Sequence, residues 1–187
     1  MPQSDFVFAV ADEVAARRSE PELRLAIDRA IDTTIDAVAE TLEHPPQLAQ
    51  AAEVLCNMVV AIENLEAQCL GRVSRKARLA ELRHSIDANN RQQFTAALDS
   101  QLLQPAQAIG GADDEQIGVL EATARDLRRF EAIARRIGSA DHFDRQLKTA
   151  VAALKPQPGE TAHTMVDRLR LIEILRGPEA AAAMMAG

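Results

Sequence analysis

Apolar positions three and four residues apart fill almost the whole chain, and the runs they form are closed again and again by glycine or proline. That spacing follows the 3.6-residue turn of an α-helix, and no segment alternates with the period of two that a half-buried strand requires. Phe6, Val10 and Val14 predict a helix over 4–18. Ser19-Glu20-Pro21-Glu22 reads as a capping box with proline in the first turn. It opens a helix to residue 43 that carries Leu23, Ile27, Ile31, Ile35, Val38 and Leu42 on one stripe and stops at His44-Pro45-Pro46.

The cleanest pattern lies in 46–70. Leu48, Ala51, Leu55, Met58, Ile62, Leu65 and Cys69 alternate steps of three and four, a heptad seam. Val54, Val59 and Val60 widen the apolar surface beyond one stripe, which predicts the central helix of the fold. After Gly71, Ser74 caps a helix to residue 88 with Leu79, Leu82 and Ile86 inward. Asn89-Asn90 predicts a turn or kink before a helix with Phe94, Leu98 and Leu102.

The segment 104–113, with Pro105 and Gly110-Gly111, is the expected linker and the place where any subdomain division would fall. Helices over 114–137, 139–154 and 161–176 follow. They are closed by Gly138, by Lys155-Pro156-Gln157-Pro158-Gly159 and by Gly177-Pro178, and 179–187 reads as a loose Ala- and Met-rich tail. The expectation is a single all-α domain, a compact bundle of seven or eight mostly antiparallel helices with 46–70 at its centre.

Composition sharpens this picture. A chain of 187 residues is long enough to bury about 70% of its unfolded surface. Trp and Tyr are absent, so the core must be built from Leu, Ile, Val, Met, Ala and a few Phe, and sites that depend on flat aromatic faces are disfavoured. The net charge of −7 argues against nucleic acid as a partner, because that binding rests on phosphate neutralisation by Lys and Arg. The charge is unevenly spread: residues 1–70 are strongly acidic and 71–91 basic, which predicts pairing between the two stretches.

Cys56 and Cys69 share one predicted helix about 20 Å apart, too far for a disulfide, so buried thiols in a reducing compartment are expected. The N-terminus lacks the basic lead of a signal peptide, and no run of about eighteen uncharged apolar residues occurs; a cytoplasmic protein without a membrane span is the expectation.

Candidate chemistry is sparse. Glu81-Leu82-Arg83-His84 and Glu160-Thr161-Ala162-His163 have the Glu-x-x-His spacing of di-iron carboxylate bundles. Their orientation opposes that use: Glu81 and His84 lie roughly 130–170° from Leu79, Leu82 and Ile86, and His163 opposes Met165, Leu169 and Ile172. Asp28, Asp32, Asp36 and Glu40 repeat every four residues, a like-charge stripe that calls for a positive partner. Arg125, Arg128, Arg129 and Arg136 share the face of their helix opposite Leu120, Leu127, Phe130, Ala134 and Ile137, and Arg suits bidentate contacts to carboxylate or phosphate. Arg72, Arg75, Lys76, Arg78 and Arg83 crowd a helix start, where the helix dipole disfavours cations.

His44 stands before two prolines. His142, between Asp141 and Asp144, reads first as a surface histidine near a helix start, the alternative being that the two carboxylates raise its pKa or orient it for proton transfer. No Gly-rich phosphate loop, Gly-x-Ser-x-Gly or CxxC motif occurs. The expected function is therefore non-enzymatic and without a cofactor: a helical interaction protein, an adaptor, chaperone-like factor or assembly component, whose charged faces contact a protein partner or a second copy. The alternative is a helical-bundle enzyme or metal-binding protein using Glu81, His84, Glu160 and His163.

Overall fold

The computed structural model describes residues 20–44, 46–68 and 73–185. The helix expected over 4–18, the Ser19 cap, Cys69 and Gly71 lie outside them. Among the described residues the chain is an all-α bundle without strands. Its helices are α1 (Glu20–Glu43), α2 (Leu48–Gln68), α3 (Val73–Ala97), α4 (Asp114–Ala134), α5 (Ala140–Ala153), α6 (Ala162–Arg176) and α7 (Pro178–Met185). Two compact units divide the chain: one comprises Met1–Pro45 and Glu53–Ile86, the other Pro46–Ala52 and Asp87–Gly187. One boundary falls between Pro45 and Pro46, between α1 and α2, the others inside α2 and α3, and the segment 104–113 lies wholly in the second unit.

The first unit has an aliphatic interior. Ile31, Ile35 and Val38 of α1 are buried, as are Leu55, Met58, Ile62 and Leu65 of the α2 seam and Leu79, Leu82 and Ile86 of α3. Val59 is fully buried beside the seam, whereas Val60 is exposed, so the apolar surface of α2 widens on one side only. Each such Leu or Ile contributes about 1.5–3 kcal/mol on burial. By length and composition alone, Leu48–Ala67 is also apolar enough to cross a membrane, a test that core helices pass too.

The second unit is built around three aromatic rings. Phe94 on α3 stacks on Phe130 of α4 at 6.4 Å between centroids and meets Phe143 of α5 edge-on at 5.1 Å. Leu98, Leu102, Leu127, Leu147, Leu154, Leu171 and Leu175 complete the interior. The turn or kink expected at Asn89-Asn90 does not interrupt the helix: α3 continues through both residues. Asn is a poor helix former by well under about 1 kcal/mol, and burial of the apolar Phe94 and Ala97 on this stretch outweighs that.

Pro105 does not end the helix either. It lacks an N–H and its ring crowds the carbonyl one turn back, and the chain absorbs this by widening Leu98–Leu103 into a π segment followed by the short turn Gln104–Ala106. Within 104–113, Ala106 and Ile109 are buried, which makes the expected linker part of the packed unit.

Helix α4 begins with a capping box. The Gln116 N–H donates to Asp113 Oδ1 at 2.8 Å, and the Asp113 N–H donates to Gln116 Oε1 at 3.1 Å. The turn into α5 places Ser139 at φ 55°, a left-handed conformation in a residue that carries a Cβ. Its hydroxyl donates to Asp87 Oδ2 at 2.6 Å, which holds the turn against α3. Gly138 allows this approach, since a Cβ there would lie 3.2 Å from Asp87 Oδ1. Thr161 caps α6 as expected, accepting from the Thr164 N–H at 3.2 Å. Gly177, at φ 89°, separates α6 from α7. The tail expected to be loose forms α7 over eight residues, opened by Pro178 and anchored by the buried Ala181.

Candidate functional site: an arginine-rich face

On α4, Arg125, Arg128 and Arg135 recur at intervals that keep them on one flank, close to α6 and α5. Beneath them lie carboxylates. Glu121, buried on α4, accepts from Arg125 Nη2 at 2.6 Å and is met from α6 by Arg170 Nε at 3.1 Å. Glu131, whose side chain is 2% exposed, accepts from Arg128 at 2.6 Å and from Arg135 Nε. Asp144 on α5 accepts from Arg135 Nη2 at 2.7 Å and from Arg176 at the end of α6 at 3.3 Å.

Five guanidinium groups thus share three carboxylates, and every pairing joins side chains within the second unit. The carboxylates Glu121 and Glu131 are buried, whereas Arg125 and Arg170 keep more than half of their side-chain surface exposed. Arg129, 74% exposed, adds its charge next to the cluster with a looser contact of 3.7 Å to Asp126, and Arg136 is exposed one turn beyond Ala132. The Arg135 guanidinium is held above its usual pKa, first by the hydrogen bond to Asp144 and then by Glu131, against the opposing effect of burial. The Asp144 carboxyl is held below the usual carboxylate range by that same hydrogen bond. Such a face is cationic at every physiological pH.

The acidic stripe lies in the first unit. Asp36 accepts from Arg78 Nη2 at 2.6 Å and Asp32 from Arg78 Nη1 at 3.5 Å, while Arg83 of α3 donates to Glu66 of α2 at 2.9 Å. This is the pairing expected between the acidic and basic stretches of sequence. Asp28 is half-buried, Asp36 and Glu40 are exposed, and Arg78 stands opposite two members of the stripe. Arg72 lies outside the described residues.

The Glu-x-x-His residues are placed otherwise than a metal centre needs. Glu160 receives a buried ion pair from Arg168 Nε at 2.9 Å and the Gln157 N–H at 3.1 Å. His163 is 77% exposed, 3.6 Å from Asp167, and Glu81 and His84 are both exposed on α3. Among the described residues no group of three or more His, Cys, Asp or Glu is arranged to hold a metal ion.

His142 is the remaining point of chemistry. Its Nε2 lies 3.2 Å from Thr95 Oγ1, and Ala88, Arg91, Gln92, Thr95, Ala96 and His142 line a pocket of ≈ 440 Å³. Its pKa is lowered, not raised as the flanking aspartates predict: burial comes first, followed by Arg91 and Arg145. Asp144 turns to Arg135 instead. The hydroxyl of Ser139, three residues before His142, donates to Asp87.

Sequence periodicity located the α4 arginines but missed Arg135, Arg170 and Arg176. Their convergence depends on the packing of three helices up to 49 positions apart in the chain, as in the Glu121 and Arg170 pair, and a single-helix projection carries no such signal. No protein-family model, no curated protein and no solved structure matches this chain.

Proposed function

We propose that this protein is a non-enzymatic helical interaction protein of the cytoplasm, an adaptor or assembly component that uses the arginine face of α4 and α6 to hold an acidic protein partner. One observation carries the reading: five guanidinium groups are positioned by three carboxylates, two of them buried, so the arginines are held in place yet keep N–H donors and net positive charge toward solvent. Pre-ordered arginines lose less side-chain entropy on binding and suit bidentate contact with carboxylates. The free, half-buried Cys56 thiol within α2 fits a reducing compartment.

The test is fluorescence anisotropy of a labelled polyglutamate peptide titrated with the full chain. Binding is expected at low salt, weakened by at least about tenfold in the Arg125→Glu/Arg129→Glu variant and at high salt. Polyglutamate that stays unbound at low salt would sink the reading.

A further inference from the structure

The occupant of the arginine face can be named from the chain itself: we infer that it is α1 of a second copy, so that two molecules associate through their acidic and arginine-rich helices. This rests on the reading of α4 as a docking face and adds the partner's identity. Three observations support it.

The first is charge. Helix α1 holds seven carboxylates against Arg24 and Arg29 over its 24 residues, and the stretch 125–136 holds five arginines against Asp126 and Glu131. The second is length. Asp28 to Glu40 spans about 18 Å of helix and Arg125 to the end of α4 at Ala134 about 14 Å, with Arg135 and Arg136 in the turn beyond, and the spacing of Asp36 and Glu40 equals that of Arg125 and Arg129, about 6 Å.

The third is access and contour. Asp36 is 67% exposed, Arg125 53% and Arg129 74%, while on α4 the exposed Ala122 and Ala132 lie within a turn of the arginines. Small residues there let a helix backbone approach while the long guanidinium arms reach around it. A two-fold arrangement makes the contact twice, α1 of each molecule on α4 of the other, and closes the assembly as a dimer.

The experiment is sedimentation equilibrium of the full chain, with two double variants at exposed positions. Arg125→Glu/Arg129→Glu makes α4 repel α1; Asp36→Lys/Glu40→Lys makes α1 repel α4. The wild-type chain is expected to dimerise at low salt and to dissociate at high salt, with a dissociation constant raised by at least about tenfold. Each variant alone is expected to be monomeric, with unchanged far-ultraviolet circular dichroism. Mixed in equal amounts they restore a dimer, because in the mixed pair both contacts join opposite charges.

A wild-type chain that is monomeric at every concentration at low salt overturns the inference, as does a dimer that both variants leave intact or a mixture that fails to associate. If the monomer still binds polyglutamate through Arg125 and Arg129, the identity of the occupant is wrong and the docking face stands. If polyglutamate is not bound either, both fall.

Discussion

The two units of this protein treat charge in opposite ways. In the first, the described ionised groups stay at or near the surface: Arg78 meets Asp36 with both side chains close to half exposed or more, and the described buried side chains are aliphatic apart from Met58. In the second, Glu121, Glu131, Asp167 and Arg168 are buried while the arginines over Glu121 and Glu131 reach solvent, and the interior is centred on three Phe rings. A pair in water contributes little stability and stays available, because solvent screens it. A carboxylate under a guanidinium cannot leave without exposing a buried charge, so it fixes its partners' geometry. The second unit therefore holds a positive pattern in a set position, and the first presents a negative one that adapts.

The largest expected effect tests the aromatic centre. Phe143→Ala removes a ring that contacts Phe94 and is fully buried, and should cost about 3–5 kcal/mol. Leu55→Ala in the first unit should cost about 2–5 kcal/mol. Urea titration followed by circular dichroism measures both; a Phe143 loss well below that of Leu55 would remove the aromatic cluster from the comparison.

An intermediate effect separates the two kinds of ion pair. Glu131→Gln removes the buried charge and leaves one acceptor oxygen where Arg128 and Arg135 each use their own, and should lower stability by about 1–3 kcal/mol. Arg78→Ala should change it by less than about 1 kcal/mol. Equal losses would erase the distinction between the units.

The smallest effect is a pH dependence. Burial and two arginines depress the native pKa of His142, so the unfolded chain takes up that proton first as pH falls. Its contribution to stability is intact above about pH 6.5 and declines below it until the native imidazole also titrates. His142→Asn should flatten the dependence of the urea midpoint on pH between about 7 and 5. A slope unchanged by that substitution would mean that other groups dominate.

Much of the fold was legible because it is written within single helices. The α2 seam from Leu48 to Leu65 is buried at every described position that periodicity chose, and so are Ile31, Ile35 and Val38. What escaped depends on neighbours. The continuation of α3 through Asn89-Asn90 follows from burial of Phe94 and Ala97 on its next turns, and the ordering of 104–113 from burial of Ala106 and Ile109, neither of which local propensity reveals. The candidate site was half legible: Arg125 and Arg128 stand out on a helical projection, whereas the carboxylates that anchor them, and the arginines arriving from α6, belong to tertiary packing.

The wide turn before Pro105 has a consequence for how the chain can vary. Phe94, Leu98, Leu102 and Ala106 are all buried at strict intervals of four, although in an ordinary helix each such interval drifts by about 40° around the axis. The slower winding of Leu98–Leu103 brings four residues nearer to a full revolution and so works as a vernier, keeping successive side chains in phase with the interior. Many substitutions here can preserve that phase. Deleting a single residue cannot, since it would swing everything downstream, Ile109 and the start of α4 included, away from its seat.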